Sequence, residues 1–198
     1  MKKLLGLVLS LVLLLSSTAA YAEYVGDVQL NAGYSYLSVD FEHGSDECSD
    51  NLAIGIANHN LWKVSDLISI GFMENVDIGL GNTDNDNFLF EFNMLIGPSV
   101  SFNISQNINI NLSSGFVGGG VIVNGEDESS IDWIGFGYGT DAQVKFFASK
   151  FISPILGLSF VHFTSDEMTL TVSNHGYDFD VESSTSIFKI YAGASFNF

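Results

Sequence analysis

No arginine occurs anywhere in the chain, and cysteine occurs once. All six basic residues are lysines; they stand against 23 carboxylates, for a formal net charge of −17. A chain this acidic repels a phosphate backbone, which excludes nucleic acid as a partner. Cys48 has no second cysteine to bond, so an intramolecular disulfide is excluded and a free thiol is expected. His43 and His175 have no Cys or His at metal-ligand spacing. No Ser-His-Asp set, phosphate loop or nucleotide motif is present, so neither a catalytic site nor a cofactor is expected. Beyond residue 22 the chain also lacks any apolar run of about 18 residues, the length a membrane helix needs.

The first 22 residues are organised differently. Met1-Lys2-Lys3 precedes an apolar run from Leu4 to Leu15, and Ala20-Tyr21-Ala22 closes it with a small-x-small pattern. That is the build of a secretory signal peptide, with cleavage expected after Ala22 and one mature domain over 23–198. The mean hydropathy is nonetheless +0.29 with 15% charged residues. A chain that apolar, without a membrane helix, must spread its apolar residues over alternate positions. In lipid, only helices and closed barrels satisfy every backbone polar group, so the composition favours a barrel.

The alternation is there. Phe88, Phe90, Phe92, Met94, Ile96, Pro98, Val100 and Phe102 alternate with Leu89, Glu91, Asn93, Leu95, Gly97, Ser99 and Ser101. A two-residue period is the mark of a strand with two unlike faces. Its length exceeds the usual 5–6 residues or so of a globular strand and suits a tilted membrane strand. The same pattern predicts eight strands, near 27–41, 51–61, 67–82, 88–102, 108–123, 131–147, 152–165 and 185–198. Short connections at 103–107 and 148–151 alternate with polar ones at 42–50, 83–87, 124–130 and 166–184, the asymmetry of periplasmic turns and outer loops. Asn58 and Asn60 interrupt the apolar face of the second strand, so a bulge or an earlier turn is expected there. Within 166–184, a hairpin turn is expected at Asn174-His175-Gly176.

The last strand alternates as well: Phe188, Ile190, Ala192, Ala194, Phe196 and Phe198 on one face, Lys189, Tyr191, Gly193, Ser195 and Asn197 on the other. Tyr191, Gly193, Phe196 and Phe198 fall where the C-terminal signal of bacterial outer-membrane β-barrels places a polar residue, a glycine and two aromatics. The mature chain resembles the small eight-stranded barrels of the OmpX, OmpW and OmpA-transmembrane type. The resemblance implies an all-β, antiparallel up-and-down barrel in the bacterial outer membrane, a monomer inserted by the barrel-assembly machinery through its last strand. It leaves open a structural or surface-interaction role, a narrow OmpW-like channel, and a lipid-modifying enzyme. His162 and Thr164 distantly resemble the His-x-Ser pair of lipid-A deacylase barrels, but Thr stands for Ser and no orienting carboxylate shares their face, so an interfacial histidine is expected.

Most of the acids lie in or beside the predicted outer loops, with no lysine among them. Such a rim keeps the surface solvated. It would repel lipopolysaccharide phosphates unless divalent cations bridged the two, which suggests a membrane poor in lipopolysaccharide, of spirochaete-type diderms. Weak divalent-cation binding or a host ligand at these loops fits the same charge. Asn82 to Asn87 places oxygens at every second residue like the start of a calcium loop, but lacks its sixth-place Gly and twelfth-place Glu, and is expected to be a polar loop tip.

Facing inward, glycines and serines predominate, with Asp77, Glu91, Asn93, Asp141, Gln143, Lys145, Lys189 and Tyr191 as the larger polar members. Buried charges need partners, and Lys189 is expected to pair with Glu91 across the lumen. Eight strands leave just enough width for side chains to fill the interior, so a plug is favoured over a pore.

Overall fold

A computed structural model describes residues 23–41, 47–83, 87–125, 129–147, 151–172 and 175–198. The expected leader, His43, Lys150 and the centre of the calcium-loop-like segment lie outside them. The chain forms eight strands: β1 (Tyr24–Phe41), β2 (Glu47–Lys63), β3 (Ile68–Thr83), β4 (Phe88–Ser105), β5 (Ile108–Asn124), β6 (Ser129–Phe146), β7 (Ile152–Val172) and β8 (His175–Asn197). Each pairs antiparallel with its neighbour, and β8 closes on β1 through Asp27↔Asn197 to Phe41↔Ser183. Closure leaves the barrel wall without an edge strand.

Within the wall, odd-numbered residues point inward on all eight strands and even-numbered ones outward, because every connection preserves parity. Leu52, Ile54, Phe72, Phe116 and Phe136 are outward and solvent-accessible, whereas Gln29, Asn75, Glu91, Asn111 and Lys189 are inward and buried. This inverts the water-soluble pattern: apolar outside, polar inside. It is the arrangement that lipid demands of a spanning barrel.

The strands are staggered. Paired residues followed once around the wall run from Gln29 through Ala57, Asn75, Leu95, Val117, Gly137, Phe163 and Thr185, and return to β1 at Val39, ten residues further along than Gln29. Closing a barrel requires such a shear, and it tilts every strand against the axis.

Several expectations need correction. The second strand is not interrupted at Asn58: β2 pairs without a break with β1 as far as Trp62 and with β3 as far as Lys63. Asn60 sits at the rim bearing both ends of the sheet, where it accepts a hydrogen bond from Tyr24 Oη at 2.7 Å. Tyr24 in turn lies edge-on to Trp62 and beside Phe198, an aromatic cluster of the kind barrels place at a lipid–water boundary. Of the expected Asn174-His175-Gly176 turn, His175 and Gly176 belong to the ladder, paired with Val172 and Thr171, while Asn174 lies outside the described residues. Irregular register appears instead near Ser105 and on both sides of Asp166–Glu167.

Candidate functional site in the barrel lumen

The inward polar residues form three layers. Nearest the termini, Asp27 receives Lys145 Nζ on one carboxylate oxygen and His59 Nδ1, at 3.0 Å, on the other. Gln29 Nε2 donates to the same Asp27 Oδ1 at 3.1 Å. Gln143 Nε2 approaches His59 Nε2 at 3.2 Å. A neutral imidazole with its proton on Nδ1 satisfies both contacts, donating to Asp27 and accepting from Gln143. Lys145 also reaches Asn197 Oδ1 at 3.2 Å, and Asn197 Nδ2 donates to Ser153 at 3.0 Å.

In the middle layer Lys189 Nζ donates to Asp77 Oδ1 and to Asn31 Oδ1, both at 2.5 Å, and its cation lies 5.0 Å from the centre of the Tyr191 ring. Asn75 Nδ2 supports the second Asp77 oxygen at 2.7 Å. A side chain on Gly55 would overlap the Asp77 carboxylate and press on Lys189 Nζ, so glycine is needed where the pair crosses the wall. Gly157 makes the same room under the Tyr191 ring. That ring carries its hydroxyl to Asp141 Oδ2, where it donates at 2.8 Å.

Above these, Glu91 accepts from Ser35 Oγ at 2.6 Å and Asn51 Nδ2 at 2.9 Å. An apolar cluster shares the interior with these networks: Leu37, Val39, Leu89, Val121, Phe163 and Ile187 are buried together with Leu95 and Met73, and Trp133 donates its indole N–H to Thr185 Oγ1 at 3.0 Å.

Glu91, Asp141, Lys145, Lys189 and Tyr191 all lie inside the wall, each at most 6% exposed. The expected Lys189–Glu91 pair does not form; Asp77 takes the lysine, and Glu91 is held by neutral donors. Stagger is the reason. The paired row through Glu91 runs back by way of Gly79, Ala53 and Gly33 to Tyr191, and the shear carries that row upward from β8 to β4. Lys189, two residues from Tyr191, therefore stands below Glu91 and meets Asp77. Asp27, His59 and Asn31 were not anticipated in these networks. Alternation alone places Asp27 and Asn31 on the inner face; His59 was hidden by the supposed break at Asn58.

Asp141 leans on one neutral donor. Tyr191→Phe removes it and is expected to destabilise the refolded barrel by about 1–3 kcal/mol, the cost of a buried polar group left unpaired. A urea titration in detergent micelles reads this directly, and an unchanged midpoint would show that Asp141 finds another donor.

Elsewhere the chemistry is sparse. His162 points outward, its Nδ1 3.0 Å from Ser186 Oγ and its ring 5.3 Å from that of Tyr138, and no carboxylate pairs with it among the described residues. Cys48 is a free thiol that accepts a hydrogen bond from Tyr36 Oη at 3.0 Å. Among the described residues no group of His, Cys, Asp and Glu is arranged to hold a metal ion.

No protein-family model and no curated protein sequence matches the chain. Solved structures do. Neisserial surface protein A is similar with a TM-score of 0.51 at 14% identity, over 87% of this chain and 97% of that one. A major outer membrane protein from Thermus thermophilus gives 0.54 at 10% identity, over 89% and 100%. The outer membrane protein OprG from Pseudomonas aeruginosa gives 0.51 at 7% identity, over 89% and 98%. At such identities the likeness is one of fold, and the fold of this chain is that of the small bacterial outer-membrane β-barrels.

Proposed function

We propose that the protein is an integral outer-membrane barrel with a closed lumen and a structural and surface-interaction role, not a channel and not an enzyme. The observation that carries this reading is the filling of the interior. Two lysine–aspartate pairs, a glutamate held by neutral donors and a contiguous buried apolar cluster fill it between them. An eight-stranded barrel is narrow enough for side chains of this size to span it. Ions would have to displace paired charges and then enter an apolar layer, both at high cost.

The leader-like first 22 residues support export, and the strand bearing Tyr191, Gly193, Phe196 and Phe198 supports handling by the barrel-assembly machinery. The role then falls to the acidic outer loops, through a host ligand or loosely held divalent cations. Planar-bilayer recording tests the closed lumen. Refolded protein is expected to insert without unitary conductance, and reproducible single-channel steps would replace this reading with the narrow channel.

A further inference from the structure

One carboxyl group faces lipid. On β3 the outward positions hold Ile68, Ile70 and Phe72 on one side of Glu74, and Val76, Ile78 and Leu80 on the other. Glu74 stands at the midpoint of this run and is exposed. A tilted membrane strand keeps about 9–11 residues in the hydrocarbon. Every window of that length within Ile68–Leu80 contains Glu74, so its carboxyl group lies in the apolar band. Among the described residues no other wall strand places a carboxylate or a lysine in the middle of its outward apolar run.

Asn58 of β2 is the register partner of Glu74 and also faces outward. Their side chains share no hydrogen bond, and neither has another side-chain bond or ion pair among the described residues. The surrounding stretches of β1, β2, β3 and β4 are all described, and their outward residues beside the pair are Val28, Ile56, Val76 and Ile96. None of these offers a donor. Roughly 20 Å of strand separates Glu74 from either end of its apolar run, further than a glutamate side chain extends to reach water. A polar group held in hydrocarbon without a partner is costly, and an ionisable one there marks a functional contact.

We propose that Glu74 and Asn58 form the contact by which two copies of this barrel pair within the membrane. Two copies inserted the same way are related by a twofold axis along the membrane normal. An axis running between β2 and β3 sets Glu74 of one copy against the partner's Asn58, and Asn58 against the partner's Glu74. The Asn58 side-chain amide donates and the Glu74 carboxyl accepts, so the surface is complementary to itself. The same axis brings Val76 against the partner's Ile56. An apolar hollow lined by Leu30, Ile54, Ile56, Val76 and Ile78 adjoins the pair and leaves room for close approach. Apolar surface gains little by leaving lipid for a protein neighbour, so the reciprocal hydrogen bonds select this face over the rest of the wall. The contact is made on the lipid-facing wall, so it holds whether or not the lumen is closed.

Sedimentation equilibrium of the refolded full-length barrel in density-matched micelles tests this. A reversible monomer–dimer equilibrium is expected, shifting to monomer as detergent is added. Glu74→Leu and Asn58→Leu are each expected to weaken it about tenfold or more, because each removes both reciprocal bonds. Glu74→Gln, whose amide oxygen still accepts, is expected to dimerise nearly as the parent does. Urea unfolding of the monomers separates this from misfolding. Neither leucine variant is expected to be less stable than the parent, since each takes a polar group off the lipid face. A parent that is monomeric at every protein-to-detergent ratio overturns the proposal, as does a dimer indifferent to both leucine variants. A leucine variant whose monomer unfolds more readily also overturns it, because the pair would then be holding the wall of a single copy.

Discussion

Lys189→Met is expected to destabilise the folded barrel by about 3–5 kcal/mol, because it strands the Asp77 carboxylate in the lumen without its cation. Lys189 and Asp77 are both almost wholly enclosed, at 2% and 3% exposure. Asn75 can still donate to Asp77, but Asn31, which also accepts from Lys189, loses its donor too. Replacing both ions, Lys189→Met with Asp77→Leu, is expected to recover most of the loss, since an apolar pair of similar size carries no desolvation cost. Urea titration of the refolded protein reads both variants against the parent. A single variant within about 1 kcal/mol of the parent, as exposed pairs behave, would mean the pair is hydrated and the lumen open to water.

Phe163→Ala is expected to cost a similar amount, about 3–5 kcal/mol, for a different reason. Its ring has no exposed surface and fills the space above Gly119 and beside Gly135, two positions with no side chain of their own to collapse inward. The cavity therefore persists, and cavity volume adds to the lost transfer energy. Removing the neighbouring indole as well, in Phe163→Ala with Trp133→Ala, is expected to hollow the apolar layer and admit transient conductance steps that the parent lacks. A double variant that loses stability yet stays silent would place the barrier to ions in the charged layers below.

Strand positions were legible because the membrane barrel obeys a single two-residue rule without exception inside the wall. Every inward residue among Glu91, Asp141, Lys145, Lys189 and Tyr191 was readable from parity alone. The C-terminal alternation likewise foretold that β8 would close the sheet, and it does so against β1. Asn58 and Asn60 mislead because a polar residue reads as a break in an apolar face. At a barrel rim the face has already left the hydrocarbon, and Asn60 can serve a tyrosine hydroxyl there.

The amino-acid sequence by itself determined the strand number, the inside and the outside, and the sign of the charge in the segments between strands. All of these follow from local order: a period of two, a turn, a run of carboxylates. Which lysine meets which carboxylate followed only from the tertiary structure. Partnership across the lumen depends on how far each strand slides past the next, and the shear accumulates over eight pairings before Lys189 comes level with Asp77. The register shifts on both sides of Asp166–Glu167, which reverse the parity of β7 beyond them, belong to the same class. A residue gained against one neighbour and lost against the other leaves no mark in the alternation, yet it decides that Leu170 joins Tyr177 and that Glu167 confronts Asp180.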